Sequence, residues 1–238
     1  MAFRPLCVAE CKGAKTQKGG KMRKLAATIG LTTLVVAVFA IVTPAAAFAA
    51  GGTTSCDGPL APGTYGRVVV PEGGLCTSDG PVTITGGVVV EPAGTLVLGS
   101  DENPAHAATI NNGVVATDPN GVQIHHSTIN GGLRIHGGQG PFGGPFEVTW
   151  NAIEDNLIHG GAVIDGYNGF WQGFLNNDVR GTVNLNNNNL FEKDDANEFV
   201  SNTIHGNMNC FNNDPAPQIG DSEGEPNTVT GHINGQCF

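Results

Sequence analysis

From residue 82 onward the chain alternates apolar and polar positions in short bursts, and the bursts rewrite one phrase. Val82-Thr-Ile84-Thr-Gly86-Gly-Val88-Val-Val90 returns as Ser127-Thr-Ile129-Asn-Gly131-Gly-Leu133-Arg-Ile135 and as Asn156-Leu-Ile158-His-Gly160-Gly-Ala162-Val-Ile164. It returns again as Asn177-Asp-Val179-Arg-Gly181-Thr-Val183-Asn-Leu185 and Asn202-Thr-Ile204-His-Gly206-Asn-Met208-Asn-Cys210, with weaker copies around Ile110 and Val229. The first aliphatics are Ile84, Ile110, Ile129, Ile158, Val179, Ile204 and Val229, spaced by 26, 19, 29, 21, 25 and 25 residues. Aliphatics recur at the fourth and usually the sixth position of each phrase. That is a period of two, which predicts strands; no stretch after residue 50 holds a 3.6-residue period over helical length. A repeat of this size is one supersecondary unit that buries its apolar edge only by stacking on its neighbours.

Two further columns sharpen the prediction. Asn156, Asn177, Asn202 and Asn227 stand two residues before their aliphatics, with Ser127 in the same place one repeat earlier. Three residues before that column stand Ile124, Ile153, Phe174 and Phe199. Stacked coils would set the asparagines about 4.8 Å apart, each amide bonding the next. A buried polar column then satisfies its own hydrogen bonds.

The ends of the chain change the charge balance. Lys21, Arg23 and Lys24 precede an apolar run from Ala26 to Val42 and an alanine-rich exit ending Ala47-Phe-Ala49-Ala50. A positive start, an apolar middle and small residues predict a cleaved secretory leader over 1–50, with Met22 a candidate start, and no stable membrane span after cleavage. Seven of the 11 basic residues and one of the 21 acidic residues precede residue 51. Four basic against twenty acidic residues leave residues 51–238 at −16, which argues against a nucleic-acid partner. Cys7 and Cys11 leave with the leader, and Cys56, Cys76, Cys210 and Cys237 remain. An even number in a secreted chain predicts disulfides rather than zinc. Three pairings are formally open; Cys56–Cys76 and Cys210–Cys237 are favoured because each closes a local loop at one end of the array, where strand edges are unpaired.

With these features the chain, over roughly residues 66–233, resembles the secreted right-handed parallel β-helices of the pectate-lyase-like kind. The closing segment from Asn209-Cys210-Phe-Asn-Asn-Asp-Pro to Gly235-Gln-Cys237 is similar to the ends of bacterial β-helix proteins without assigned activity. The resemblance lies in repeat style and implies an all-β, single-domain β-helix of about seven to eight coils. A β-sandwich gives no reason for the asparagine column, and a propeller blade needs a longer repeat.

Side chains next to the inward aliphatics face solvent. That outward column holds His159, Arg180 and His205 on three consecutive coils, and a second outward column holds Arg134. On so acidic a body, Arg134, His159, Arg180 and His205 form a candidate strip of donors for a carboxylated sugar. Tyr167 and Trp171, with Trp150 one coil earlier, form a candidate aromatic platform for sugar faces. The resemblance to lyases implies an arginine base, for which Arg180 is available, and a calcium ion, for which Asp178, Glu192, Asp194, Asp195 and Glu198 offer oxygens. No spaced carboxylate motif accompanies them. Glu154, Asp155 and Asp165 are the carboxylates available for glycoside hydrolysis. His125 and His126 point to opposite faces of a strand, so they do not share one metal ion, and no metal site is predicted.

The resulting expectation is a secreted, extracellular, non-enzymatic β-helix that acts as a surface, structural or glycan-binding protein without a cofactor. A polysaccharide-degrading enzyme, uronate lyase before hydrolase, is the alternative. Fold alone does not decide between them.

Overall fold

A computed structural model describes residues 51–220 and 224–238, and the leader predicted over 1–50 lies outside the described residues. The chain winds repeatedly through three all-parallel sheets. Sheet A has nine strands, from Thr53–Ser55 to Ile233–Gly235; sheet B has seven, from Gly58–Leu60 to Asn197–Glu198; sheet C has eight, from Gly63–Tyr65 to Thr228–Val229. Each coil visits B, then C, then A, so every strand pairs with its counterpart one coil away. The fold is the right-handed parallel β-helix, with two disulfides near its ends.

The repeat register is as the sequence predicts. Ile84, Ile110, Ile129, Ile158, Val179, Ile204 and Val229 pair one with the next down sheet C. The coil also starts earlier than residue 66. Tyr65 pairs with Ile84 as an extra rung, and Thr53–Ser55 pairs with Arg67–Val69 in sheet A. These first strands are Gly-, Pro- and Thr-rich and carry little of the repeat phrase, which is why periodicity passes over them.

The three corners differ in what they tolerate. From Ile84 onward the connection between sheets C and A keeps one length: Ile84 to Val88, Ile158 to Ala162 and Ile204 to Met208 are each four residues apart, and only the first coil, Tyr65 to Val68, is one residue shorter. Here backbone stacks on backbone. A Cβ on Gly160, Gly181 or Gly206 would meet main-chain atoms of the preceding coil at 2.6–2.7 Å. The glycine column of the phrase is therefore a packing requirement. Gly181→Ala should cost about 2 kcal/mol as overpacking, or a melting temperature lower by about 4–8 °C. A thermal melt coinciding with the parent protein's would refute that account.

The corner between sheets B and C normally spans five residues and bends at one residue in the left-handed region: His126, Asp155, Asn176 or Ser201, with φ of 51°, 58°, 54° and 60°. Short polar side chains tolerate that conformation best. This corner is stretched by residues 99–107 after Leu98, and again in the last coil, where Gln218 pairs with Glu198 and Val229 with Ile204. The corner between A and B is lengthened by residues 137–149, slightly by 166–170, and again by 187–196. Among the described residues the large excursions leave the coil at these two corners.

Inside, the aliphatic columns meet as a continuous core, closed in sheet B by Ile124, Ile153, Phe174 and Phe199. The rings of Phe174 and Phe199 stack at 5.4 Å. Along the inner corner runs the asparagine ladder. Asn156 Nδ2 donates to Asn177 Oδ1 at 3.1 Å, Asn177 Nδ2 to Asn202 Oδ1 at 3.1 Å, and Asn202 Nδ2 to Asn227 Oδ1 at 2.8 Å. Each of these oxygens also accepts a backbone N–H from the coil before, and the Nδ2 of Asn156, Asn177 and Asn202 also donates to the carbonyl of Ile124, Ile153 and Phe174. Ser127 starts the column: its N–H donates to Asn156 Oδ1, and its hydroxyl accepts from the Ala108 N–H and donates to the His125 carbonyl. A second ladder, not predicted, joins Asn188, Asn213 and Gln236 at the far side of sheet A. The disulfides are Cys56–Cys76 and Cys210–Cys237, with Cα separations of 5.2 and 5.3 Å.

Candidate functional site

The donor strip is assembled in space but not free. The backbone N–H groups of His159, Arg180 and His205 each donate to the preceding coil, so the three residues sit one above another, all exposed. Asp178 reaches two of them: its carboxylate lies 3.0 Å from Arg180 Nη2 and 3.0 Å from His205 Nε2. One carboxylate shared between the two side chains removes hydrogen-bonding capacity from an incoming sugar acid. Arg134 stands apart on sheet A, exposed, in register with Val115 and Val163.

The aromatic platform requires a correction. Tyr167 is fully buried among core residues, and burial pushes its phenol pKa up. It offers no face to a ligand, because the excursions around Gly138 and Gly169 close over its ring. Trp171 is half-buried against the core. Its indole lies across Gly173, where a Cβ would meet the ring at 2.2 Å, and its Nε1 donates to buried Glu198 at 3.1 Å. Trp150 pairs with it one coil earlier and stacks on Phe146 at 5.1 Å.

The exposed aromatic surface is made by other residues. Phe142 and Phe191 are 59% and 54% exposed, and with half-buried Phe170 they form a triad whose ring centroids lie 4.9, 5.8 and 6.0 Å apart. Each ring comes from a different excursion at the A–B corner. The excursions are laced together by backbone bonds from Phe170 N–H to Thr149 and from Phe191 N–H to Gly169. Beside the triad lies a shallow groove of about 460 Å³ lined by Pro141, Asn168, Asn189, Leu190, Phe191 and Lys193. Lys193 Nζ is fixed there by Asn189 Oδ1 at 3.1 Å and Asp214 Oδ2 at 3.0 Å. Sequence reading missed Phe142 and Phe191. The signal available was two phenylalanines at excursion positions, outside the inward columns, in a chain poor in aromatics.

Of the five carboxylates named for calcium, three have partners within the chain, Asp178 being the one that reaches Arg180 and His205. Glu192 accepts from the N–H groups of Lys193 and Asp194 in its own turn, and Glu198 holds the Trp171 indole. Glu154 ends a strand of sheet B and Asp155 follows it in the corner, whereas Asp165 ends a strand of sheet A beside His136 at 3.2 Å. His125 and His126 diverge as expected, toward Glu154 and Asp155 respectively. Among the described residues no helix is long and apolar enough to cross a membrane. Set against known proteins, the chain matches no family model, no curated protein and no solved structure.

Proposed function

We propose that this protein is a secreted, non-enzymatic β-helix whose side binds glycan at the A–B corner. The observation that carries the reading is the phenylalanine triad on stacked excursions, bordered by the amides of Asn168 and Asn189 and by Lys193. Sugar rings have one apolar face and a polar rim, and an aromatic shelf edged by amide donors and acceptors matches both. The rigid coil below lets the shelf bind without first paying to order itself.

The test is retention of the protein on immobilised neutral and uronate polysaccharides. Phe142→Ala combined with Phe191→Ala should weaken retention about tenfold or more, since two stacking contacts are lost. Both residues are mostly exposed, so the melting temperature should move by no more than a few degrees. Arg180→Ala, measured in parallel, should leave retention unchanged. A loss confined to Arg180→Ala would relocate binding to the histidine–arginine strip. Shortened or unsaturated sugar products would replace the non-enzymatic reading with hydrolysis or lyase chemistry.

A further inference from the structure

At the stretched B–C corner the residue pattern points to a metal. His125 ends a strand of sheet B and faces outward, yet it is only 7% exposed. Glu154 is its partner in the next coil, and Asp101 comes from the excursion that follows Gly99. Ligand atoms of Asp101, His125 and Glu154 all lie within 4.8 Å of one another. Within that trio, His125 Nδ1 is buried and has no hydrogen-bond partner. It stands 3.3 Å from Glu154 Oε2 without the alignment of a hydrogen bond.

Buried polar nitrogens are normally paired, and one left bare beside a carboxylate oxygen calls for an explanation. Two ligand atoms facing a common tetrahedral ion at about 2.0–2.1 Å stand about 3.3 Å apart. We propose that Asp101, His125 and Glu154 hold one divalent transition-metal ion, zinc by chemical class, at this corner. A neutral imidazole with two carboxylates supplies two negative charges to a doubly positive ion. The nitrogen ligand selects first-row transition metals over calcium and magnesium. Three protein ligands leave a fourth position for water.

The neighbouring corner residues support the geometry. Gly99 has φ of 80°, and a Cβ there would meet the His125 carbonyl oxygen at 2.2 Å, so the excursion can leave the strand only at glycine. His126 Nε2 lies 3.2 Å from the Asp101 carbonyl oxygen, which ties the excursion down over the site. A second trio, Asp101, His126 and Asp155, shares the same aspartate. Its histidine is already engaged with that carbonyl and its aspartate accepts from Asn176 Nδ2, so the His125 trio has the freer ligand atoms.

The test uses the full chain with Cys7 and Cys11 changed to serine, so that thiols do not compete, freed of metal by a chelator. Titration with zinc chloride in a calorimeter should show one ion bound per chain, with a rise in melting temperature. Asp101→Asn and Glu154→Gln should each weaken zinc affinity about tenfold or more, since even residues behind the ligands typically cost 10–100-fold. Neither change removes a core side chain, and the metal-free melting temperature checks that the variants fold. Uptake should also weaken on acidification, because the ligands must be deprotonated. No zinc binding, or binding unaltered by both substitutions, overturns the proposal. Binding lost in His126→Gln and Asp155→Asn but kept in Glu154→Gln overturns it in favour of the second trio.

Discussion

Asn177→Ala is expected to cost about 4 kcal/mol of stability, because a buried amide in the middle of a chain of amides is removed and its partners stay behind. The Asn177 oxygen accepts both the Asn156 N–H and the Asn156 Nδ2, and its own Nδ2 donates to the Ile153 carbonyl and to Asn202. Alanine strands the Asn156 N–H and takes a donor from Ile153, in a place water does not reach. Each stranded buried group costs about 1–3 kcal/mol, so two of them exceed most single substitutions. Asn227→Ala, at the half-buried last rung, should cost about 1 kcal/mol by the same reasoning. Urea unfolding of the two variants measures the contrast. Equal losses, or a loss under about 1 kcal/mol at Asn177, would mean that the ladder fills space without setting stability.

The second large effect concerns the disulfides, and here two physical accounts disagree. Loop-closure entropy grows with the enclosed chain, so Cys210–Cys237, spanning 27 residues, should be worth slightly more than Cys56–Cys76, spanning 20; both come to about 3–3.5 kcal/mol. Register argues the opposite order. The early coils stack near-identical strands, Val68-Val-Val70 on Val88-Val-Val90, and a slip by two residues would keep the same face inward. The described asparagine ladders fix the later coils, and Gln236 hooks the last of them to Asn213 at 3.2 Å. The bond at Cys56–Cys76 holds the early coils where those ladders do not run. We therefore expect the Cys56→Ala and Cys76→Ala pair to cost about 4–5 kcal/mol and the Cys210→Ala and Cys237→Ala pair about 2–3 kcal/mol. Urea midpoints in the reverse order would return the explanation to loop entropy.

Much of this architecture is legible from residues because its period is strict. The sheet C aliphatics and the Ser127–Asn227 column follow from spacing, and the disulfide pairing, one of three open, from the place of the cysteines at the two ends of the array. The second ladder was equally readable in principle, since Asn188 and Asn213 stand 25 residues apart, but the long asparagine run from 186 to 189 hides the one that turns inward. Tyr167 misleads for a different reason. A tyrosine in a glycine-rich excursion suggests exposure, and only the packing of one excursion on the next reveals that it is buried. The triad and the His125 corner are least legible of all. Each joins residues from separate coils through excursions of unequal length, and periodicity carries no information about where such segments fold back.

The unequal freedom of the corners has a practical meaning. At the C–A corner the chain behaves like a spine whose vertebrae cannot be spaced apart, whereas at the other two it behaves like a shelf bracket. Foreign sequence spliced near Gly140 would project sideways and leave the core undisturbed, while the same splice at Gly181 would wedge adjacent coils open. The described coil thus has a fixed back and two replaceable margins, and both sites proposed for it lie on those margins.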